Sequence, residues 1–345
     1  MRQAALSALV GALVAVLILW SHSKGDINRT AYGDGLIYRY VTNHLNEPKA
    51  DVDPVVSSRG TSLRYGRVGL PGAIWLFSAG RDSAMPWAQA GLMVLSAAIA
   101  CAAMSRLIPV GPLAALLPFL APGFPEALSG GFADAFAAAL CILAALLSVS
   151  RRWTWATIVM AIAILSRENA AIVLVALGAW GIVKRDRRAG LLALALVPTM
   201  IWYAIIASRY GHIPVLDPYL RVTTQTVGPP FVALFRSLAH PASIGAEVVL
   251  CVHIVVALIG IVCGRRSILG LLVAATSLQL LISGPFAWQL LGEATRTAVI
   301  LQVFVVGAIA AWVARDSLPG DLLLPGSSQK TGRPPSNSPQ HATSN

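Results

Sequence analysis

Every stretch of this chain that could cross a bilayer is bounded on one side by arginines and on the other by carboxylates. Arg106, Arg151–Arg152, the run from Lys184 to Arg188, Arg265–Arg266 and Arg315 punctuate the sequence, and Asp134, Glu168 or Glu293 breaks the apolar stretches between them. Basic loops stay in the cytoplasm, so each interval between clusters must cross the bilayer an even number of times. That parity sends nearly all the acidic residues to the outer face. A site built from them opens outward.

Composition agrees. Charged residues make up 12% of the chain, hydrophobic residues 56%, and mean hydropathy is +0.70. A soluble domain carries about 25% charged residues, so the expectation is an all-α polytopic membrane protein. The net charge of +11 does not point to nucleic acid, because ten of the 26 basic residues lie in the inner clusters. There they orient the chain and attract anionic headgroups, at roughly 1 kcal/mol per residue. Cys101, Cys141, Cys251 and Cys263 fall within apolar stretches at spacings that match no zinc or redox pattern, and read as small buried side chains.

The apolar run from Ala4 to Trp20 is either an uncleaved first span or a signal peptide with a weak small-residue site near Ser21–Ser23. Its terminal Trp favours the anchor. An outer loop over 21–68 follows, then a short segment, Val68–Gly80, read as interfacial or re-entrant because a span needs about 20 residues. A clear span runs from Trp87 to Met104. The 44 residues between Arg106 and Arg151 allow two crossings, turning outside at Pro122–Pro125 and Gly130–Gly131. The interval 153–183 has only 31 residues. Two crossings leave about 22 Å of helix each against a hydrocarbon core of about 30 Å, so its tip at Ser166–Asn169 should sit recessed. Segments 189–207 and 246–263 form the next pair around an outer loop over 208–244, and 267–283 with 298–314 form the last. The expectation is about ten transmembrane helices over residues 1–315, both termini cytoplasmic, and a disordered tail over 316–345.

Charges in or just beneath a bilayer are functional candidates. Arg167 and Glu168 lead, since their hairpin is too short to lift them clear; the alternative is a local ion pair that fixes the turn. Glu293 and Arg296, spaced i, i+3, share a helical face as a site or as a snorkelling pair. Asp134 opens an Ala-rich span, where a carboxylate also suits the helix dipole. Asp34 lies between glycines, ahead of Tyr38 and Arg39, and is either a turn residue or a site carboxylate with aromatics that could stack a sugar. Arg64 and Arg67 are outer arginines running against the charge bias, whose fork geometry suits phosphate. His253, within a span, reads as a hydrogen-bonded helix histidine. No metal-ligand spacing is present in the sequence.

Taken in order, Tyr32-Gly33-Asp34-Gly35-Leu36-Ile37-Tyr38-Arg39, Leu63-Arg64-Tyr65-Gly66-Arg67-Val68-Gly69-Leu70-Pro71, Leu165-Ser166-Arg167-Glu168-Asn169 and Gly292-Glu293 with Arg296 resemble motifs of bacterial GT-C-type polytopic glycosyltransferase-like membrane proteins. The resemblance covers about residues 1–315, and differs in that Asp34 has no acidic neighbour. It implies a sugar moved from a polyprenyl-phosphate donor to an envelope glycan or glycolipid acceptor at the outer face of the inner membrane. Asp34 would take the acceptor proton, and Arg64, Arg67, Arg167 or Arg296 would bind the donor phosphate. Asp134, Glu168 and Glu293 would orient arginines or sugar hydroxyls, with Tyr38 and Arg39 beside the substrate. The resemblance leaves open a divalent cation. Rival readings are a non-catalytic membrane scaffold and a lipid or solute transporter, whose charges would lie along a path open to both sides.

Overall fold

The apolar run behind Arg2 is helical as α1, Arg2–Ser23, and packs along α5, Met85–Leu107. Gly11 makes that approach close, since a Cβ there would stand 2.6 Å from Cys101 Sγ and 2.7 Å from the Ala97 carbonyl. The structure, a computed structural model, describes residues 2–45, 61–108, 111–214, 231–239, 244–282, 298–314 and 320–323. Among them the regular elements are helical, apart from one antiparallel bridge between Ser267 and Leu323. Between α1 and α5 come α2 (Asp34–Asn43), α3 (Thr61–Gly66) and α4 (Gly69–Ser78). Helix α5 ends where Pro109 pushes Ile108 into extended backbone at φ −128°.

After a 3-10 stretch, Gly111–Leu120, and the short α6, Gly123–Ser129, the chain enters α7, Ala133–Val149. This helix is the centre of the bundle. Its alanines at 133, 135, 137, 138, 139, 144 and 145 are buried and let α5, α8 (Trp153–Ser166) and α15 (Val299–Val313) close on it. Helices α8 and α9 (Ala170–Val183) make a hairpin of 14 residues per arm. A 3-10 segment, Arg187–Ala195, runs into α10, Leu196–Tyr210. Then come α11 (Val232–Ala239), α12 (Ile244–Gly264), α13 (Ile268–Thr276), α14 (Leu278–Ile282) and α15.

Among the described residues four helical stretches are long and apolar enough to cross a membrane: Arg2–Ser23, Asp82–Leu107, Arg187–Tyr210 and Glu247–Gly264. Three of them are only 22–28% buried. Their outward faces are apolar: Leu6, Leu9, Leu13 and Leu17 on α1, and Val248, Val252, Val255 and Val262 on α12. Apolar surface on this scale is unstable in water and satisfied in lipid. The chain is a membrane protein.

The expected span at 267–283 is an apolar helix over Ile268–Leu281, in which the Thr276 and Ser277 hydroxyls bond back to the Leu272 and Val273 carbonyls while Ser277 keeps helical backbone at φ −64° and ψ −20°. One expectation needs correction. Cys101 and Cys141 are buried, but Cys251 is exposed because α12 packs by one face alone. Within 316–345 only 320–323 are described, and there Leu322 is 2% exposed and the Leu323 carbonyl accepts from Lys184 Nζ at 2.7 Å. Asp217, Tyr219 and Arg221 of the loop 208–244, and most of the tail 316–345, lie outside the described residues.

The two ends of the bundle differ. One collects the basic loops: Trp153 Nε1 donates to Asp186 Oδ2 at 2.8 Å, joining the Arg151–Arg152 turn to the run after α9. That indole bond holds the Asp186 carboxyl below its usual range. Elsewhere a neutral chain ties three elements together. Gly123 N–H donates to Gln302 Oε1 (2.9 Å), and Gln302 Nε2 donates to His253 Nε2 (2.8 Å). The His253 Nδ1–H donates to the Val249 carbonyl at 2.8 Å, so the ring is a hydrogen-bonded helix histidine. Gln302→Leu strands a buried N–H and a ring nitrogen at about 1–3 kcal/mol each. A lower unfolding midpoint in detergent is the expected result, and an unchanged one would show that Gln302 contributes nothing.

Candidate functional site

The other end of the bundle holds the carboxylates, and its geometry begins with a turn. Asp26 caps the 3-10 turn Ile27–Thr30 by accepting from Asn28 N at 2.9 Å. Gly33, at φ +51°, then redirects the chain into α2. Asp34 is the first residue of α2, where a carboxylate is favoured by the helix dipole. Gly35 lies against the 130–131 turn so closely that a Cβ would stand 2.0 Å from the Gly130 carbonyl. Gln89, fully buried on α5, fastens this approach: Nε2 donates to the Gly131 carbonyl at 2.8 Å and to that of Gly35 at 3.1 Å. Its Oε1 accepts from Arg39 Nε.

Three arginine–carboxylate pairs follow, each joining distant parts of the chain. Arg64 Nη1 donates to Asp34 Oδ2 at 2.6 Å. Arg67 grips Glu168 with both prongs, Nε to Oε2 at 2.9 Å and Nη2 to Oε1 at 2.5 Å. Arg167 Nη2 stands 2.6 Å from Asp134 Oδ1. The last two pairs form one electrostatic cluster, since Arg67 also feels Asp134 and Glu168 feels Arg167. Asp34, Arg67, Asp134 and Arg167 are all buried. The most open carboxylate is Glu168, with 36% of its side chain exposed.

Tyr38, one turn beyond Asp34, is fully buried and within electrostatic reach of Arg67. Its hydroxyl has no hydrogen-bond partner among the described residues, and neither do Arg64 Nε and Arg167 Nε. Buried donors are almost always paired, so three without partners in one neighbourhood mark a place able to accept oxygen atoms. From the side, α10 supports the cluster: Trp202 Nε1 donates to the Tyr65 carbonyl at 2.7 Å, and Tyr203 interacts electrostatically with Glu168 and Arg67.

Thus Asp34, Tyr38, Arg64, Arg67, Asp134, Arg167 and Glu168 gather at one end of the bundle. Arg39 is engaged differently, bonded to Gln89, the Asn28 carbonyl (3.2 Å) and Thr30 Oγ1 (3.1 Å). Glu293 and Arg296 lie outside the described residues. Gln89 and Tyr203 were not singled out from the sequence. Gln89 had a signal, a polar side chain one turn into an apolar span, whereas Tyr203 had none beyond its aromatic ring. Among the described residues no three His, Cys, Asp or Glu side chains gather in a way that could hold a metal ion. Each described site carboxylate, Asp34, Asp134 and Glu168, faces an arginine instead, a donor set that does not fit a divalent cation.

Compared with family models, characterised proteins and solved structures, the chain matches none.

The cost of separating a pair can be tested. The side chains of Arg167 and Asp134 are 9% and 4% exposed, and removing one partner of such a pair costs about 3–5 kcal/mol. Arg167→Gln and Asp134→Asn should each lower the unfolding midpoint strongly. The double variant, which leaves no unpaired charge, should be milder than the sum; simple additivity would mean that the two do not interact. A second substitution, Gly35→Ala, should cost about 1–3 kcal/mol through overpacking, read as a lower midpoint in the same assay.

Proposed function

We propose that the cluster is the active site of a GT-C-type glycosyltransferase, moving a sugar from a polyprenyl-phosphate donor to an envelope glycan or glycolipid at the outer face of a bacterial inner membrane. On this reading the basic clusters face the cytoplasm, both termini are inside, and the chain crosses about ten times. The observation that carries it is the convergence of Asp34 with Arg64, and of Arg67 and Arg167 with their carboxylates, beside buried donors that lack partners. On this reading Asp34, held by Arg64, would accept a proton from an acceptor hydroxyl once the substrate draws Arg64 towards the donor phosphate. General-base help of this kind is worth about 10²–10⁴-fold. Tyr38 Oη and the arginines would offer hydrogen bonds to phosphate oxygens, and stabilise charge developing on the leaving group.

One observation favours a second reading. Three arginines meet three carboxylates in these pairs, which are therefore charge-balanced and cross-link α2, α3, α7 and the α8–α9 tip. A non-catalytic scaffold needs nothing more. A complementation series separates the two, using a strain lacking the protein and profiling envelope glycans and glycolipids. Asp34→Asn, nearly isosteric but unable to act as a base, should fail to restore a glycan that wild type restores, at equal expression. Full rescue by both Asp34→Asn and Arg167→Ala would overturn catalysis and favour the scaffold.

A further inference from the structure

A groove of about 790 Å³ runs along the bundle between α9 and the segment that leads into α10. Its walls are apolar: Leu174, Val175, Ile182, Leu192 and Leu196 are among them. From Leu174 to Ile182 it extends about 12 Å at 1.5 Å per residue. Two glycines help to make it. A Cβ at Gly178 or Gly190 would meet no heavy atom within 4 Å, so the space at both positions is open.

The groove is not apolar throughout, because Arg185, Asp186 and Arg187 also line it. Asp186 is committed, its carboxylate accepting from Trp153 Nε1 and from Arg188 N at 3.0 Å. Lys184 is committed as well, donating to the Leu323 carbonyl and lying 4.7 Å from the Trp180 ring. Arg185 and Arg187 are exposed, and neither forms an ion pair among the described residues. The backbone also holds Arg185 in the left-handed region at φ +54°, where the chain turns out of α9. Two exposed cations therefore stand at one end of a channel whose remainder is hydrocarbon-like.

We infer that this groove holds an anionic phospholipid of the inner leaflet, with its acyl chain along Leu174–Ile182 and its phosphate against Arg185 and Arg187. Charge complementarity selects this occupant. An apolar helix from another protein would fill the channel but leave both cations unmatched, and a soluble anion would leave the channel uncovered. A phospholipid with a net negative headgroup satisfies both parts. Each cation near an anionic surface is worth about a fivefold preference. This inference needs the chain to be a membrane protein but not a glycosyltransferase, so it stands or falls separately from the proposed activity.

The test is native mass spectrometry of the full chain in detergent, titrated with phosphatidylglycerol and with phosphatidylcholine of the same acyl chains. Wild type should bind phosphatidylglycerol at least about tenfold more tightly, given two cations. Arg185→Gln with Arg187→Gln should erase that preference while leaving phosphatidylcholine binding as it was. Gly178→Leu, which fills the channel without a backbone clash, should weaken both lipids. The control is Arg265→Gln with Arg266→Gln, which removes the same charge elsewhere and should keep the preference. Equal binding of the two lipids by wild type would overturn the inference, as would a preference that survives loss of Arg185 and Arg187. So would a control pair that loses it equally.

Discussion

The bidentate bond between Arg67 and Glu168 joins residues 101 apart in the chain. It holds the start of α4 against the tip of the α8–α9 hairpin, and the rest of the carboxylate end is arranged around it. Arg67 also feels Asp134 and Tyr38, and Tyr203 responds to both members of the pair. Desolvating two charges is expensive, and only two well-aligned hydrogen bonds make such a pair tolerable. A lysine at position 67 could not provide the fork. Glycine at position 69 allows the approach, since a Cβ there would stand 2.2 Å from Ser166 Oγ.

Polar cross-links of three kinds hold the bundle together. The carboxylate end uses arginine pairs along with the neutral amide of Gln89 on Gly131, and Gln302 with His253 makes a second neutral link. The basic end uses an indole–carboxylate bond, Trp153 to Asp186. Buried neutral groups cost less to desolvate than ions, so amides suit the interior. The arginine–carboxylate links gather at one end and leave the core to alanine and leucine.

Much of this was legible from residue order. Asp34, Arg64, Arg67, Asp134, Arg167 and Glu168 are conspicuous because a charge near a bilayer must have a partner, and the structure supplies one for each. Who pairs with whom was not legible: Arg167 and Glu168 are neighbours in sequence but turn to different partners, Asp134 and Arg67, because an extended backbone at Arg167 points successive side chains apart. Hydropathy located the helices around 4–20, 87–104, 189–207 and 246–263. It did not reveal Gln89 and Gln302, whose value lies in where they reach.

The hairpin of two 14-residue arms has a mechanical consequence for the lipid around it. Each arm is about 21 Å long, well short of a hydrocarbon core of about 30 Å. With the basic turns anchored in one headgroup layer, either the opposite leaflet dips to meet the polar tip or neighbouring helices line a wet recess above it. A dip costs fractions of a kcal/mol per Å of mismatch and grows with bilayer thickness. On the proposed topology, a leaflet that dips would make the charged tip a gauge of the membrane, most at ease where the bilayer is thin and increasingly strained where it thickens.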